Sequence, residues 1–412
     1  MPASLGDGEL RAVTRVLEHD LDLNGVARGD GHLFVRDGVG LAGRGVAARV
    51  SGREIGTLLA SIERVDEVGG PGCGPVAIGC LPFVPGSPAS FVVPRVVVGK
   101  AADGRRWVTR VSGDGPGGDG YDPDAIDLTP PAPPTTTAIG STIRSVAPPD
   151  AYRAAVVAGR DAVRAGRLTK VVLAREVMVT TDEPLDVHGI LLRLRASFGS
   201  SYRYSFDGMI GASPELLVER LGDVVRSHPL AGTAPRTGDP STDARLAASL
   251  IASVKDQIEH RIVIDVVEAT LLPWCSYLDW EADPSIVTVA NVQHLGTAME
   301  GRLSTPAPSV LEMAAALSPT PALGGHPRDE ALALIAEVEG FERGRYGGAI
   351  GWVDAEGNGT WAVAIRCAEL SADRRRARLV AGCGIVAGSD PDKELAETQA
   401  KLQAMLSAIV RP

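Results

Sequence analysis

The feature that most limits how this chain folds is a change of pattern near Pro148. Before it, residues 1 to about 130 contain short strand-like runs separated by frequent glycine and proline. From Pro148 onward, strand-like runs alternate with longer helical patterns. No segment repeats at a fixed period, so the chain is not a solenoid and combines strands with helices.

The individual segments follow from hydrophobic periodicity. Residues 91–98 and 106–111 are predicted strands, with a hairpin turn at 101–104. Residues 150–165 are predicted to be helical and 168–180 to form a valine-rich strand. Two further helices are indicated by apolar residues three and four apart, which are Ile251, Val254, Ile258, Ile262 and Val266 in one and Leu395, Leu402, Met405 and Ile409 in the other. Asp390 followed by Pro391 is a favourable start for the second.

One segment is strongly biased in composition. Residues 113–137 are rich in glycine and then in proline, which is typical of a flexible linker or of a long surface loop. We favour the loop.

Composition and charge exclude several classes of protein. Hydrophobic residues make up 44% of the 412-residue chain, enough for a large core, and the net charge of −10 disfavours nucleic-acid binding. Arg374 to Arg376 is a short basic cluster beside a predicted turn. The N-terminus lacks the basic and apolar blocks of a secretory signal, and no apolar run is long enough to span a bilayer. We therefore expect a soluble cytoplasmic protein that binds neither nucleic acid nor membrane.

The cysteines support the same location. Their number is odd and their spacing does not match a zinc site; they are Cys73, Cys80, Cys275, Cys367 and Cys383. We expect reduced, mostly buried thiols.

Two residues are candidates for proton transfer. Lys170 stands at the edge of a strongly apolar strand, where loss of hydration favours the neutral form that can act as a base. Glu215 follows Ser-Pro and precedes an apolar strand, where a low-dielectric pocket would keep it protonated as an acid. From spacing alone, the commoner interpretation is structural in each case: a strand-end lysine that reaches water for Lys170, and a helix-start or edge carboxylate for Glu215.

Two acidic pairs are candidates for metal binding. Asp256 and Glu259 lie three residues apart on one predicted helix, and Glu394 and Glu397 lie three apart on the last helix. Two facing helices with such pairs would form the all-oxygen site that magnesium favours. The alternative is that Lys255 with Glu259, and Glu397 with Lys401, are ion pairs on exposed helix faces.

The remaining motifs are less specific. Gly382, Gly384 and Gly388 could let backbone amides approach an anion, but their spacing does not fit a dinucleotide-binding fingerprint. Arg366 is either an anion clamp or a surface residue. His260 and His294 lack metal-ligand spacing, and neither Ser213 nor Ser318 lies in a nucleophile elbow.

Taken in order, the segments from about Leu168 to Leu402 resemble the chorismate-utilising enzymes, a family that comprises isochorismate, salicylate, anthranilate and aminodeoxychorismate synthases. The resemblance is carried by nine strings in the family's order: TKVVLAR, ASPELLVE, PLAGTAPR, KDQIEHRIV, VQHLGT, LSPTPALGG, ERGRYGGAIGW, WAVAIRCAEL and AGCGIVAGSDPDKELAETQAKL. The fold that this resemblance implies is α/β (α+β), with two large, mostly antiparallel sheets packed together and helices outside. It also implies one domain over residues 1–412, in which 1–145 adds strands and 146–412 carries the motifs.

The resemblance assigns a role to each matching residue. Lys170 matches the base that activates water for attack at C2 of chorismate, and Glu215 matches the acid that protonates the departing C4 hydroxyl. Glu259 and Glu397 match the direct magnesium ligands, with Asp256 and Glu394 acting through water. The substrate-binding positions are Thr233, His294, Ala322, Leu323, Tyr346, Arg366, Gly382, Gly384 and Lys401.

Within the family, three features favour an isochorismate synthase. Anthranilate synthases lack the lysine that matches Lys170. Ala231 stands where one class of aminodeoxychorismate synthase has a nucleophilic lysine. Residues 320–325 read Thr-Pro-Ala-Leu-Gly-Gly, where salicylate synthases usually have Thr-Ala-Ser-Gly. A salicylate synthase, a glutaminase-partnered aminating synthase and a non-catalytic chorismate-binding subunit are the alternatives.

The resemblance also suggests a pathway and an assembly state. Isochorismate feeds menaquinone, siderophore or salicylate synthesis, and the composition slightly favours menaquinone. A monomer without an obligatory protein partner is expected.

Overall fold

The computed structural model describes residues 10–129, 131, 140–289 and 291–410. The start of the chain, where no secretory signal is predicted, lies outside the described residues, as do residues 130 and 132–137 of the biased segment.

Strands dominate the part of the chain before residue 146. They are β1 (Arg11–Val16), β2 (His32–Arg36), β3 (Val39–Arg44), β4 (Ala48–Ser51), β5 (Glu63–Asp66), β6 (Val76–Leu81), β7 (Ser90–Val93), β8 (Val96–Lys100), β9 (Arg106–Ser112) and β10 (Ser141–Ser145). Two short helices accompany them, α1 (Leu23–Ala27) and α2 (Ile55–Ser61).

The rest of the chain mixes both types of element. Its strands are β11 (Lys170–Thr181), β12 (Tyr202–Phe206), β13 (Met209–Ser213), β14 (Leu216–Leu221), β15 (Val224–His228), β16 (Leu230–Pro235), β17 (Cys275–Trp280), β18 (Ser285–Thr288), β19 (Val292–Gly296), β20 (Met299–Leu303), β21 (Gly325–His326), β22 (Ala349–Asp354), β23 (Gly359–Val363), β24 (Cys367–Leu370) and β25 (Arg376–Ile385). Its helices are α3 (Pro149–Arg164), α4 (Val187–Ser197), α5 (Pro240–Ala252), α6 (Val254–Leu271), α7 (Val310–Leu317), α8 (Arg328–Val338) and α9 (Pro391–Val410).

Two large sheets form the body of the fold, as expected. One has thirteen strands, in the order β10-β11-β25-β24-β13-β12-β2-β3-β8-β9-β1-β5 with β21 beside β11, and the other has nine, in the order β17-β20-β15-β14-β23-β22-β6-β7-β4. A three-stranded sheet, β16-β19-β18, stands apart from them. The pairings are antiparallel except for β1 with β5.

Helices cover the outer faces of the sheets. Phe34 and Tyr204 of the larger sheet meet Ile350 of the smaller one in the core between them. On the outside of the larger sheet, α4 and α9 bury residues such as Ile190 and Leu402. Helices α6 and α7 cover the smaller sheet in the same way. This is the mixed α/β architecture that the resemblance implies, and no helix in the described part of the chain is long and apolar enough to cross a membrane.

Several predicted elements are confirmed. The helix at 150–165 is α3, the strand at 168–180 is β11, and the hairpin turn at 101–104 joins β8 to β9. The carboxylate of Asp390 accepts the amides of Asp392 and Lys393, at 3.1 and 3.0 Å, at the start of α9.

The predicted strand at 91–98 is wrong as one element. The chain forms β7 and then β8, which belong to different sheets, and Pro94 and Arg95 lie between them. Proline has no N–H to continue a ladder, so the strand ends there and the chain crosses to the other layer.

The prediction of one long helix with an apolar face over residues 251–266 is also wrong. Ser253 separates α5 from α6, and Ile251, Val254 and Ile258 are 46%, 72% and 59% exposed. The buried side of α6 instead carries His260, Val263, Ile264, Val267 and Leu271. The break at Ser253, whose side chain caps α6, removes only Ile251 from the pattern. The other four residues lie on α6 itself, whose buried face is set by the surface against which the helix packs.

The described part of the biased segment is a docked loop. Arg95, which is 1% exposed, donates hydrogen bonds to the carbonyl of Gly113 and the carboxylates of Asp114 and Asp119. This agrees with the loop interpretation for residues 113–129, because a buried guanidinium holds their start against the sheet.

Candidate active site

A cavity of about 230 Å³ lies where β11, β25, α6 and α9 approach one another. Every residue that the sequence singled out for catalysis, substrate or metal lines it. They are Lys170, Glu215, Thr233, Asp256, Glu259, His294, Ala322, Leu323, Tyr346, Arg366, Gly382, Gly384, Glu394, Glu397 and Lys401.

Lys170, the first residue of β11, forms a buried ion pair. It is 1% exposed, and its Nζ lies 2.8 Å from Oε1 of Glu259 on α6. Although burial alone would raise the pKa of Glu259, the charge of Lys170 holds it below its ordinary value. The sequence had paired Glu259 with Lys255 or with a metal, so this contact was not anticipated.

Gly384 makes room for that pair. A Cβ at this position would lie 2.5 Å from Oε1 of Glu259 and 2.9 Å from Cε of Lys170. Any other residue would displace one of the two side chains, so the glycine is required here by close approach.

Glu215 lies between β13 and β14 and is 3% exposed. Burial raises its pKa to about 8, opposed by the amide of Leu230 and by Lys170 and Lys401. The carboxyl group is therefore protonated at neutral pH, as a general acid must be.

The acidic pairs of α6 and α9 both line the cavity, but among the described residues the close cluster of metal-ligating groups lies on the α9 side and does not include Asp256 or Glu259. Oxygens of Glu394 and Glu397 and the Sγ of Cys383 lie within 4.8 Å of one another. Burial, and then the charge of Glu397, raise the pKa of Glu394. Burial also raises the pKa of the Cys383 thiol well above its ordinary value, so it is not a thiolate ligand. The available donors are carboxylate oxygens that repel one another, a set that fits a hard divalent cation.

Arg366 supplies an unneutralised positive charge. It is 7% exposed, adopts a left-handed φ of 51°, and has no carboxylate partner among the described residues. Its Nη1 has no hydrogen-bond partner there either, while Nη2 lies 3.3 Å from Nε2 of His294. A buried guanidinium in this state is suited to an anionic ligand.

His294 orients that guanidinium. Its Nδ1 lies 3.2 Å from the carbonyl of Gly232 and 3.1 Å from Oγ1 of Thr233. A carbonyl only accepts, so we assign the proton to Nδ1, which leaves Nε2 to accept from Arg366. Burial, then Arg366, hold the pKa of His294 well below its ordinary value, so it stays neutral.

Lys401 and Tyr346 add further hydrogen-bond donors beside Arg366, and we call these three residues the cationic side of the cavity. Nζ of Lys401 donates to the carbonyl of Gly382 at 2.9 Å and to Glu397 at 2.7 Å. Burial alone would lower the pKa of Lys401, but the interactions with Glu397 and Cys383 together raise it. Burial raises the pKa of Tyr346 to about 12, so its phenol remains a hydrogen-bond donor.

Two features were not found from the sequence. Lys255, interpreted as a surface residue, lines the cavity, and its place beside Asp256 on the same helix was the available signal. The second is a buried strut: Arg343 donates to the carbonyls of Leu323 and Val172, at 2.8 and 2.7 Å, and pairs with Glu339. The i,i+4 spacing of Glu339 and Arg343 is compatible with their pairing, but no local pattern marks the contacts of Arg343 with Leu323 and Val172.

Known proteins share both the sequence and the fold. The sequence model of the family described as "Chorismate binding enzyme" matches residues 125–410. The Mycobacterium tuberculosis protein named "Putative isochorismate synthase MenF" is 41% identical over 351 residues, which is 82% of this chain and 87% of that protein. Isochorismate synthase DhbC of Bacillus subtilis is 42% identical over 278 residues, 65% of this chain and 69% of its own. The structure of MenF, the menaquinone-specific isochorismate synthase of Escherichia coli, superposes with a TM-score of 0.81 at 22% identity, covering 97% of this chain and 94% of that one, and this similarity concerns the fold.

Proposed function

The chain belongs to the family of chorismate binding enzymes and is an isochorismate synthase, and we propose that it adds water at C2 of chorismate while the C4 hydroxyl departs. The observation that carries this mechanism is the pairing of a protonated acid, Glu215, with a buried lysine, Lys170, in one cavity. Attack by water and departure of a hydroxyl require one group of each kind.

Glu215 is the proposed acid. Because its carboxyl group keeps its proton up to pH of about 8, it can protonate the leaving C4 hydroxyl at neutral pH. Turnover should therefore fall as the pH rises through this value.

Lys170 is the proposed base. Its Nζ must be an uncharged amine to accept a proton from water, and the ammonium that pairs with Glu259 at 2.8 Å has no lone pair to offer. Release of this ion pair on assembly of the complete site, with loss of the ammonium proton to solvent, would leave Lys170 as a neutral amine, so Glu259 links metal binding to the base.

The cationic side is the proposed substrate site. Chorismate carries two carboxylates, and Arg366 offers an unpartnered Nη1 while Lys401 and the phenol of Tyr346 offer further donors. Thr233, His294, Ala322, Leu323, Gly382 and Gly384 are assigned to the same site.

Magnesium is the proposed cofactor, held by Glu259 and Glu397 directly and by Asp256 and Glu394 through water. When bound, the ion neutralises the ring carboxylate and withdraws charge from the conjugated system. The carboxylate oxygens described above fit this ion better than a soft metal.

We further propose that the protein acts in the cytoplasm, as a monomer without an obligatory protein partner. The five cysteines are all free, as expected in a reducing compartment.

The test is to incubate the purified protein with chorismate and Mg²⁺ and to separate the products by liquid chromatography with mass detection. We expect a product of unchanged mass that elutes as isochorismate, and no turnover in excess EDTA until Mg²⁺ is restored. Lys170→Ala and Glu215→Gln should each lower kcat about 10²-fold or more. Salicylate with pyruvate would instead make the protein a salicylate synthase.

Exposed residues of the same types provide matched controls. Lys393→Ala on α9 and Glu337→Gln on α8 remove a lysine and a glutamate outside the cavity and should keep wild-type kcat. Normal turnover by Lys170→Ala or Glu215→Gln would contradict the acid–base assignment, and full activity in EDTA would contradict the metal.

A further inference from the structure

A second cavity, of about 800 Å³, lies at the other end of the strands that lead to the active site. Ile210 of β13 and Leu370 of β24 line it, together with the turn that follows β24, and it shares no lining residue with the first cavity. Its volume is in the range of small-molecule binding sites.

The charged residues around this cavity are equal in number but are not all paired with one another. Four arginines and four aspartates line it. Arg44 pairs with Asp30 at 2.9 Å, Arg49 with Asp207 at 2.6 Å and Arg28 with Asp127 at 3.0 Å. The fourth aspartate, Asp119, accepts from Arg95, which lies outside the cavity.

Arg374 is left with no counter-charge. Its guanidinium has no hydrogen-bond or ion-pair partner among the described residues, and its Nη1 lies 3.7 Å from where a Cβ of Gly29 would stand. Arg374 is partly exposed, and its left-handed φ of 56° belongs to the turn that joins β24 to β25.

Two more polar atoms in the wall lack partners. His32 is 5% exposed, and its buried Nδ1 has no hydrogen-bond partner in the described part of the protein. The same holds for Nε of Arg28, on the turn next to Gly29. Buried polar atoms in folded proteins are nearly always hydrogen-bonded, so two unsatisfied nitrogens on residues of the wall are compatible with a polar ligand that would complete their contacts.

The rest of the wall is mixed. Its apolar part consists of Val46, Ile126, Val187, Ile210 and Leu370, and the hydroxyl groups of Tyr121, Ser205 and Ser371 lie among the polar part. The cavity thus combines one free positive charge with an apolar patch and unpaired polar atoms.

We propose that this cavity is a second binding site, for a small organic carboxylate with an apolar body, whose carboxylate pairs with Arg374. Arg366 in the active site is the internal parallel, since it also has a left-handed φ and an unneutralised guanidinium. The proposal is independent of the catalytic function, because the two cavities have no residue in common.

Calorimetric titration with 4-bromobenzoate tests the proposal. Arg374→Gln should weaken binding roughly 10- to 100-fold, the range expected from losing a hydrogen bond to a charged group. Arg376→Gln, at an exposed arginine two residues away and outside the cavity, should bind like the wild type. Both variants should keep the wild-type melting temperature, because neither guanidinium has a hydrogen-bond partner among the described residues.

Crystals of the wild-type protein soaked with 4-bromobenzoate provide a reading that does not depend on any variant. An anomalous bromine peak in the second cavity, with the carboxylate on Arg374, supports the proposal. A bromine peak in the active site alone would overturn it, as would equal affinity of the wild type and Arg374→Gln. Inorganic phosphate that bound as tightly as 4-bromobenzoate, with the same dependence on Arg374, would overturn the assigned ligand class.

Discussion

Glu215 shows how one residue links activity to stability. In the folded protein burial raises its pKa from an ordinary value of 4.5 to about 8. The carboxyl group is useful as an acid because it is desolvated, and the same desolvation opposes its ionised form. The residue therefore costs stability wherever the unfolded chain would ionise it.

This cost predicts a pH-dependent gain for Glu215→Gln. Between pH 4.5 and about 8 the folded state binds more protons at this site than the unfolded state, so the wild type loses stability as the pH rises. Glutamine does not titrate. We expect the variant to be more stable than the wild type at pH 8.5, by ~1–4 kcal/mol at 1.36 kcal/mol per pKa unit, with the gain vanishing near pH 4.5. Melting curves measured across this range test it, and a gain independent of pH would contradict the raised pKa.

The strut formed by Arg343 and Glu339 connects two elements of the fold. The two side chains are each 1% exposed, and Glu339 also accepts the amide of Ala174 at 2.7 Å. Since Arg343 reaches the carbonyls of Val172 and Leu323, it joins the strand of the base to the loop that closes the substrate cavity. We infer that the pair sets the distance between these two elements.

Loss of one partner should be more damaging than loss of both. Arg343→Met leaves Glu339 as an unpaired buried charge and should lower the free energy of unfolding by about 3–5 kcal/mol. In the double variant Arg343→Met with Glu339→Gln that charge is gone, and part of the loss should be recovered. Urea denaturation of both variants provides the measurement. Equal loss in the single and double variants would show that the charge is not the cause.

Helix α6 is the element whose buried face the sequence pattern assigned incorrectly. Ile264 is 5% exposed and packs over the smaller sheet, while Ile258, two turns earlier, is 59% exposed. Replacing each of the two residues by alanine tests which face of α6 is buried.

Ile264→Ala should destabilise the protein by about 2–5 kcal/mol, because it opens a cavity in a packed core. Ile258→Ala removes the same atoms from the surface and should change stability by about 0.5 kcal/mol or less. Chemical denaturation of the two variants in parallel is sufficient, and a reversed order would restore the face predicted from periodicity.

At the scale of the whole molecule, the two parts of the chain interleave. Strand β2 pairs with β12 in the larger sheet, and β6 pairs with β22 in the smaller one. Without residues 1–145, β12 and β22 would each lose a neighbour, and the core between the sheets would lose Phe34 and Ile78. These contacts support the proposal that residues 1–412 form one domain.

A chain of residues 146–412 alone should therefore not fold. Unpaired strand edges and an open apolar core favour aggregation over a compact state. We expect no cooperative thermal transition by circular dichroism, where the full-length chain gives one. A fragment that melts cooperatively and converts chorismate would mean that the N-terminal part is a separate unit.

The order of motifs along the chain was sufficient to identify the enzyme family and the residues that line the cavity. The nine ordered strings identify fifteen positions that all line one cavity, because each string places its residue at a strand end, a turn or a helix face whose location the family's fold determines. Local signals also sufficed for α3, β11 and the start of α9, where periodicity and capping act within a few residues.

What those residues contact depends on how distant segments pack together. The pairing of Lys170 with Glu259 and the contacts of Arg343 with Leu323 and Val172 join segments that are 20 or more residues apart. That Nη1 of Arg366 has no partner among the described residues likewise depends on its surroundings in the fold. Residues 91–98 are divided between two sheets, and α6 buries a different face from the predicted one. Both outcomes depend on the surface against which each segment packs. Periodicity reports which residues are apolar along one element, whereas burial, pKa and partner are set by the elements that pack against it.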